Sequence, residues 1–148
     1  MTHLWKSLLN RNLLALVVFA AALGPQAVRA ANTPCPLQNA TKHGTYVVFG
    51  TGTIVGVGPI SAVGEITYDG RGNSIATYTA SVNGTINKGV TVTGTYTVNP
   101  DCTGSHAESD GSHYDFVVTP DGSKSTWIET DNGVVVSGTE VRLRSHKQ

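Results

Sequence analysis

Between residues 31 and 148 the chain has two leucines (Leu37, Leu143) and no methionine. The side chains that most readily build helices are almost absent there. Charge is sparse too: ten Lys and Arg stand against ten Asp and Glu, only 14% of 148 residues are charged, and the formal net charge is zero. That excludes a nucleic-acid binder, which needs a basic surface to displace counterions, and it excludes a charged disordered tail. Cys35 and Cys102 are the two cysteines, and neither belongs to a Cys-x-x-Cys pair, so they do not read as a zinc site. No Gly-x-Ser-x-Gly elbow is present to supply an activated serine. The length supports one folded domain.

The zero net charge hides a split. Residues 1–30 carry three basic groups (Lys6, Arg11, Arg29) and no acid, and the rest of the chain carries a net −3. A basic start, the apolar run 13–23, the Gly24-Pro25 breaker and Val28-Arg29-Ala30 describe a cleavable signal peptide over residues 1–30. Eleven apolar residues fall short of the ~20 that span a bilayer. The expected product is secreted or periplasmic, with no stable membrane anchor after cleavage. In an oxidising compartment Cys35 and Cys102 can form one bridge that tethers a segment at 31–42 to a single domain at 43–148. Two free buried thiols are the alternative.

Residues 31–148 contain 18 Thr, 15 Val and 16 Gly, a composition that favours strands. Asp69-Gly70, Asn83-Gly84, Asp110-Gly111, Asp121-Gly122 and Asn132-Gly133 are tight-hairpin dipeptides, and Asn99-Pro100-Asp101 is a further break. Between them, properties alternate with period two. Val90, Val92, Gly94, Tyr96 and Val98 share one face; Ile60, Ala62, Gly64, Ile66 and Tyr68 share another. The pattern predicts about eight strands, near 43–50, 60–68, 74–82, 90–98, 103–109, 113–119, 124–130 and 134–142. Uniformly short connections predict an all-β, antiparallel up-and-down meander closed into a barrel, with a two-sheet sandwich as the alternative.

Several groups could carry chemistry. The glycines at 50, 52, 56, 58 and 64 lack the third glycine of a dinucleotide fingerprint, and no Gly-Lys-Ser/Thr follows, so no cofactor is implied. His106, Glu108 and Asp110 fall on one face with His113 just beyond a hairpin, a set that could hold a divalent metal. The spacing is not diagnostic of one, and a solvated outer face is the expected fate of these residues; no metal site is assigned. Tyr114, Phe116 and Val118 form the more apolar face of their strand, which puts His113 and Asp115 outside. Trp127 and Glu129 share a face whose direction the sequence leaves open. Glu65 is expected outside.

Gly56-Val57-Gly58-Pro59-Ile60, Asp69-Gly70-Arg71-Gly72-Asn73 and the run from Thr93 to Gly104 (TGTYTVNPDCTG) resemble a family of small exported bacterial all-β proteins. The resemblance covers most of 35–141. It implies a Gram-negative envelope or secreted setting and brings no activity with it. A looser likeness to lipocalin-type and allene-oxide-cyclase-type barrels rests on strand count, so no catalytic residue is carried over.

The leading expectation is a non-catalytic barrel that binds a small, largely apolar molecule. Tyr46, Tyr68, Tyr96, Trp127 and Glu129 are its candidate contacts, with space left beside them by Ala62, Gly64 and Gly94. A cofactor-free isomerase or cyclase is the alternative and needs an ionisable group in the cavity wall. A third reading is a surface protein acting through Thr-rich outer faces.

Overall fold

The computed structural model describes residues 34–143. The expected signal peptide at 1–30 lies outside them. Eight strands follow in chain order: β1 (His43–Ile54), β2 (Gly58–Asp69), β3 (Asn73–Val82), β4 (Thr85–Val98), β5 (Thr103–Glu108), β6 (His113–Val118), β7 (Lys124–Glu129) and β8 (Val134–Arg142). Each pairs antiparallel with the next, and β1 also pairs with β8, from Tyr46 opposite Arg142 to Ile54 opposite Val134. The sheet is therefore a closed meander barrel, as the short connections require, and not a sandwich. Closure leaves no edge strand to aggregate.

Every Asx-Gly pair singled out above lies in a hairpin, and β1–β2 turns without one, at Val55-Gly56-Val57. The expected break near Gly50 does not occur. β1 runs on to Ile54 because Gly50 and Gly52 are inward strand positions, not turns. A Cβ on Gly50 would lie 2.5 Å from the Trp127 ring, and one on Gly52 would strike the β8 backbone. β4 likewise starts at Thr85, earlier than periodicity suggests, because the pairing slips between Tyr78 and Ala80. Such a bulge breaks the period of two locally.

Away from that bulge, inside and outside alternate. Tyr46, Ile66, Tyr68, Ala76, Val92, Tyr96, Val98, Phe116 and Val118 are buried in one core. The outer face carries threonines, some hydrogen-bonded in cross-strand pairs: Thr45–Thr67 at 2.9 Å and Thr77–Thr91 at 3.1 Å. Gly64 and Gly94, expected to leave room inside, leave none: a Cβ at Gly64 would strike Tyr78, and one at Gly94 would strike His106. These glycines seat large neighbours.

One end of the barrel is plugged. Cys35 and Cys102 form a disulfide, and a single 3-10 turn (Gln38–Thr41) crosses the end formed by the β2–β3, β4–β5 and β6–β7 hairpins. Lys42 then points into the core. It is fully buried, and its Nζ donates to Glu140 Oε2 at 2.6 Å and to Ser125 Oγ at 3.3 Å. The rings of Tyr68 and Phe116 each lie 4.2 Å from the ammonium, and Tyr68 donates its hydroxyl to Glu140 Oε1 at 2.9 Å. Burial lowers the Lys42 pKa, and Glu140 opposes that shift. Arg142 adds a hydrogen bond to the Thr41 carbonyl at 2.7 Å.

Removing one partner of a buried, hydrogen-bonded ion pair leaves a naked charge, at a cost of about 3–5 kcal/mol. Lys42→Met should lower urea stability by that amount. The double variant Lys42→Met/Glu140→Gln, which removes the stranded charge, should lose distinctly less. Equal losses in the two would show that the pair is not charged in the folded state.

Candidate functional site

Above the Lys42–Glu140 floor the barrel is not filled. A cavity of ≈ 240 Å³ runs up to the opposite end, where Asp110 is exposed at its rim. Its small and aliphatic lining, which includes Val48, Ala62, Ala76 and Ala80, comes from β1, β2 and β3, which also contribute Tyr68 and Tyr78; most of its large polar and aromatic lining comes from β5, β6 and β7. The asymmetry has a sequence cause. Inward positions of β1 and β2 are mostly Gly, Ala and Ile, whereas the cavity-lining ones of β5, β6 and β7 are His106, Glu108, Tyr114, Phe116, Trp127 and Glu129.

Trp127 sits where two glycines meet it. It is paired with Gly138 on β8, and its ring covers both Gly138 and Gly50, so a Cβ at either site would collide with the indole. Tyr114 packs edge-on against it, with ring centroids 5.3 Å apart. Tyr114 is also the cross-strand partner of both His106 and Glu129. Its hydroxyl stands 3.4 Å from Glu108 Oε2, a long hydrogen bond. The Trp127 indole nitrogen is buried without an acceptor.

Five sequence candidates for ligand contact separate into two sets. Tyr68, Trp127 and Glu129 line the cavity. Tyr46 and Tyr96 lie at the plugged end, with their hydroxyls taken: Tyr46 donates to the Gly122 carbonyl at 2.6 Å, and Tyr96 to the Lys42 carbonyl at 2.7 Å. The β7 direction that the sequence left open is settled by Ile128, which is 52% exposed while Trp127 and Glu129 face inward.

The polar run at 105–113 departs from expectation. His106 is 7% exposed and Glu108 is half-buried, and both line the cavity instead of facing solvent. The parity was legible, since Gly104, His106 and Glu108 continue the inward register of Tyr114 and Phe116 across the hairpin. Polarity alone gave the opposite answer. His113 lies outside, as expected, where its Nδ1 is 2.9 Å from Asp131; Asp115 and Glu65 are also exposed. The four residues His106, Glu108, Asp110 and His113 thus do not converge, and no group of three or more His, Cys, Asp or Glu among the described residues could hold a metal ion.

Burial pushes the Glu108 carboxyl up to about 7, and Asp110 and Glu129 add like-charge repulsion. Burial raises Glu129 as well, with Asp131 and Asp110 contributing. Burial holds His106 down at about 4, and Lys42 beneath it acts in the same direction. His106 is therefore neutral at pH 7 and shares a 2.8 Å hydrogen bond with Ser74 Oγ.

No protein-family model matches the chain, and no curated protein matches it. A de novo designed fluorescence-activating β-barrel is similar in structure at 15% identity and a TM-score of 0.42, over 68% of this chain and 93% of that one. A likeness at that score carries no inference, and the fold rests on this chain's own strand pairing.

Two cavity groups, Glu108 and His106, pull stability in opposite directions. As pH falls from about 7 to 4.5, Glu108 takes up its proton in the folded state first, which adds stability. From 6.5 to about 4 the unfolded chain protonates first at His106, which removes stability. Between pH 6.5 and 4.5 the slopes oppose. Urea unfolding should show Glu108→Gln losing stability on acidification and His106→Gln gaining it, each by on the order of 1–3 kcal/mol. Slopes of the same sign in both variants would contradict the assignment.

Proposed function

We propose that this chain is an exported barrel that binds one small, largely apolar molecule in the cavity above its plugged end. The cavity itself carries the reading. At ≈ 240 Å³ it lies between the ~150 Å³ that accepts benzene and the ~300 Å³ at which drug-sized pockets begin, a size suited to one or two rings. Aliphatic side chains and the rings of Trp127, Tyr68, Tyr78 and Tyr114 line it together, and the buried indole N–H gives a ligand acceptor something to meet. Export is supported by the buried Cys35–Cys102 disulfide, which persists in oxidising compartments, and by the resemblance to small exported bacterial all-β proteins.

No helix among the described residues is long and apolar enough to cross a membrane. The strand pattern argues against a transmembrane barrel, which is apolar outside and polar within. Here the inside is mainly apolar, and on the outside exposed Val47, Phe49, Val63, Ile75 and Ile128 are interspersed with Thr, Ser and charged residues instead of forming an unbroken apolar band. Three strands have six residues, fewer than the ~9–11 that span a bilayer.

Glu108 favours a second reading, a cofactor-free isomerase or cyclase. A cavity carboxyl poised near neutrality can move a proton at pH 7.

Titration with a one- or two-ring aromatic, followed by Trp127 emission, should give one site per chain. Ala62→Leu and Ala80→Leu, which place branched side chains in the cavity, should weaken it about tenfold or more. Undiminished binding in both folded variants would locate the ligand elsewhere. For the second reading, native protein should retain a molecule recovered as two isomers, in a ratio that Glu108→Gln changes.

A further inference from the structure

We propose that the cavity's ligand is cationic: an aromatic or branched aliphatic amine whose ammonium sits among Glu108, Glu129 and Asp110 while its apolar body fills the space against Trp127 and Ala62. This deepens the reading above and rests on it.

The rim is one-signed. Glu108 ends β5, Asp110 stands in the β5–β6 hairpin and Glu129 ends β7, and all three line the cavity. Among the described residues no Lys or Arg lines it. The buried cation Lys42 is bound to Glu140, which lines the cavity floor, and is not free to neutralise the rim. Apolar walls weaken screening, so a guest carrying negative charge meets three carboxylates at the entrance, and a neutral guest leaves them unpaired. An ammonium pairs with them and gains the faces of the aromatic rings as well.

The protein already holds one alkylammonium in this way. At the floor, the Lys42 ammonium is bound by one carboxylate at 2.6 Å, one hydroxyl, and two aromatic faces at 4.2 Å each. The upper cavity repeats the parts without the lysine: carboxylates of Glu108 and Glu129, hydroxyls of Tyr114 and Ser112, and the rings of Tyr114 and Trp127. What fills the first set is a primary amine on an apolar stem, and the second set fits the same chemistry supplied from outside.

A matched probe series tests this: 1-naphthylmethylamine, 1-naphthylmethanol and 1-naphthoate, titrated into wild-type protein at pH 8 and low salt. The amine should bind at least about tenfold tighter than the alcohol, and the carboxylate weakest of all. In Glu108→Gln/Glu129→Gln, with the fold checked by circular dichroism, the amine-to-alcohol ratio should fall below about threefold. Glu129→Gln alone should reduce it in part, should the double variant fail to fold. If the alcohol or the carboxylate binds wild type as tightly as the amine, the cationic assignment falls and the ligand-binding reading stands. If none of the three binds, the ligand-binding reading itself falls.

Discussion

The Lys42–Glu140 pair is the constraint on which the rest depends. A lysine carried inward by a single 3-10 turn needs a carboxylate, and Glu140 on the last strand supplies it across 98 positions of sequence. That contact joins the segment before β1 to the strand that closes the barrel on β1. Tyr68 and Phe116 complete the enclosure from β2 and β6. Around this centre the hydroxyls of Tyr46 and Tyr96 are consumed by backbone carbonyls. At the plugged end the charged groups and the tyrosine hydroxyls are satisfied by one another and by backbone carbonyls, the condition under which buried charge is tolerable, while the buried Thr41 hydroxyl has no partner among the described residues.

The open end follows the opposite rule. Its carboxylates are gathered without a counter-charge, and burial keeps one of them near its midpoint at neutral pH. Groups left in this state cost folding free energy, and their placement in one concave region is the arrangement that the proposed binding reading calls for. The small residues of β1 and β2 and the large ones of β5 to β7 make the same division sterically. Gly50 and Gly138 yield their side-chain volume to Trp127, and the volume saved elsewhere by Ala62 and Ala80 stays empty.

Most of the fold was legible because its signals are local. Asx-Gly pairs mark five hairpins, and Val92, Tyr96 and Val98 announce their inward face by period two alone. The boundaries that moved did so for non-local reasons: the first strand, expected to end near 50, continues through Gly50 and Gly52 because the partner strand and Trp127 occupy the space a side chain would take, and the β3–β4 bulge leaves no mark at short range. The site was legible in part. Tyr68, Trp127 and Glu129 carried an aromatic or face-sharing signal. At His106 and Glu108 polarity and register point opposite ways, and register decides, because Tyr114 and Phe116 fix it through the intervening hairpin. Lys42 had no signal at all, since a single lysine before a strand normally faces water.

The Cys35–Cys102 bridge fastens the plug from outside the sheet, at the β4–β5 hairpin, and so decides more than stability. With that end covalently shut, the barrel is a cup and not a tube. Anything inside must leave by the way it came, past Asp110 and between the β5–β6 and β7–β8 hairpins. Entry rate, exit rate and residence time are then governed at a single gate, and a guest cannot be passed through from one partner to another on the far side.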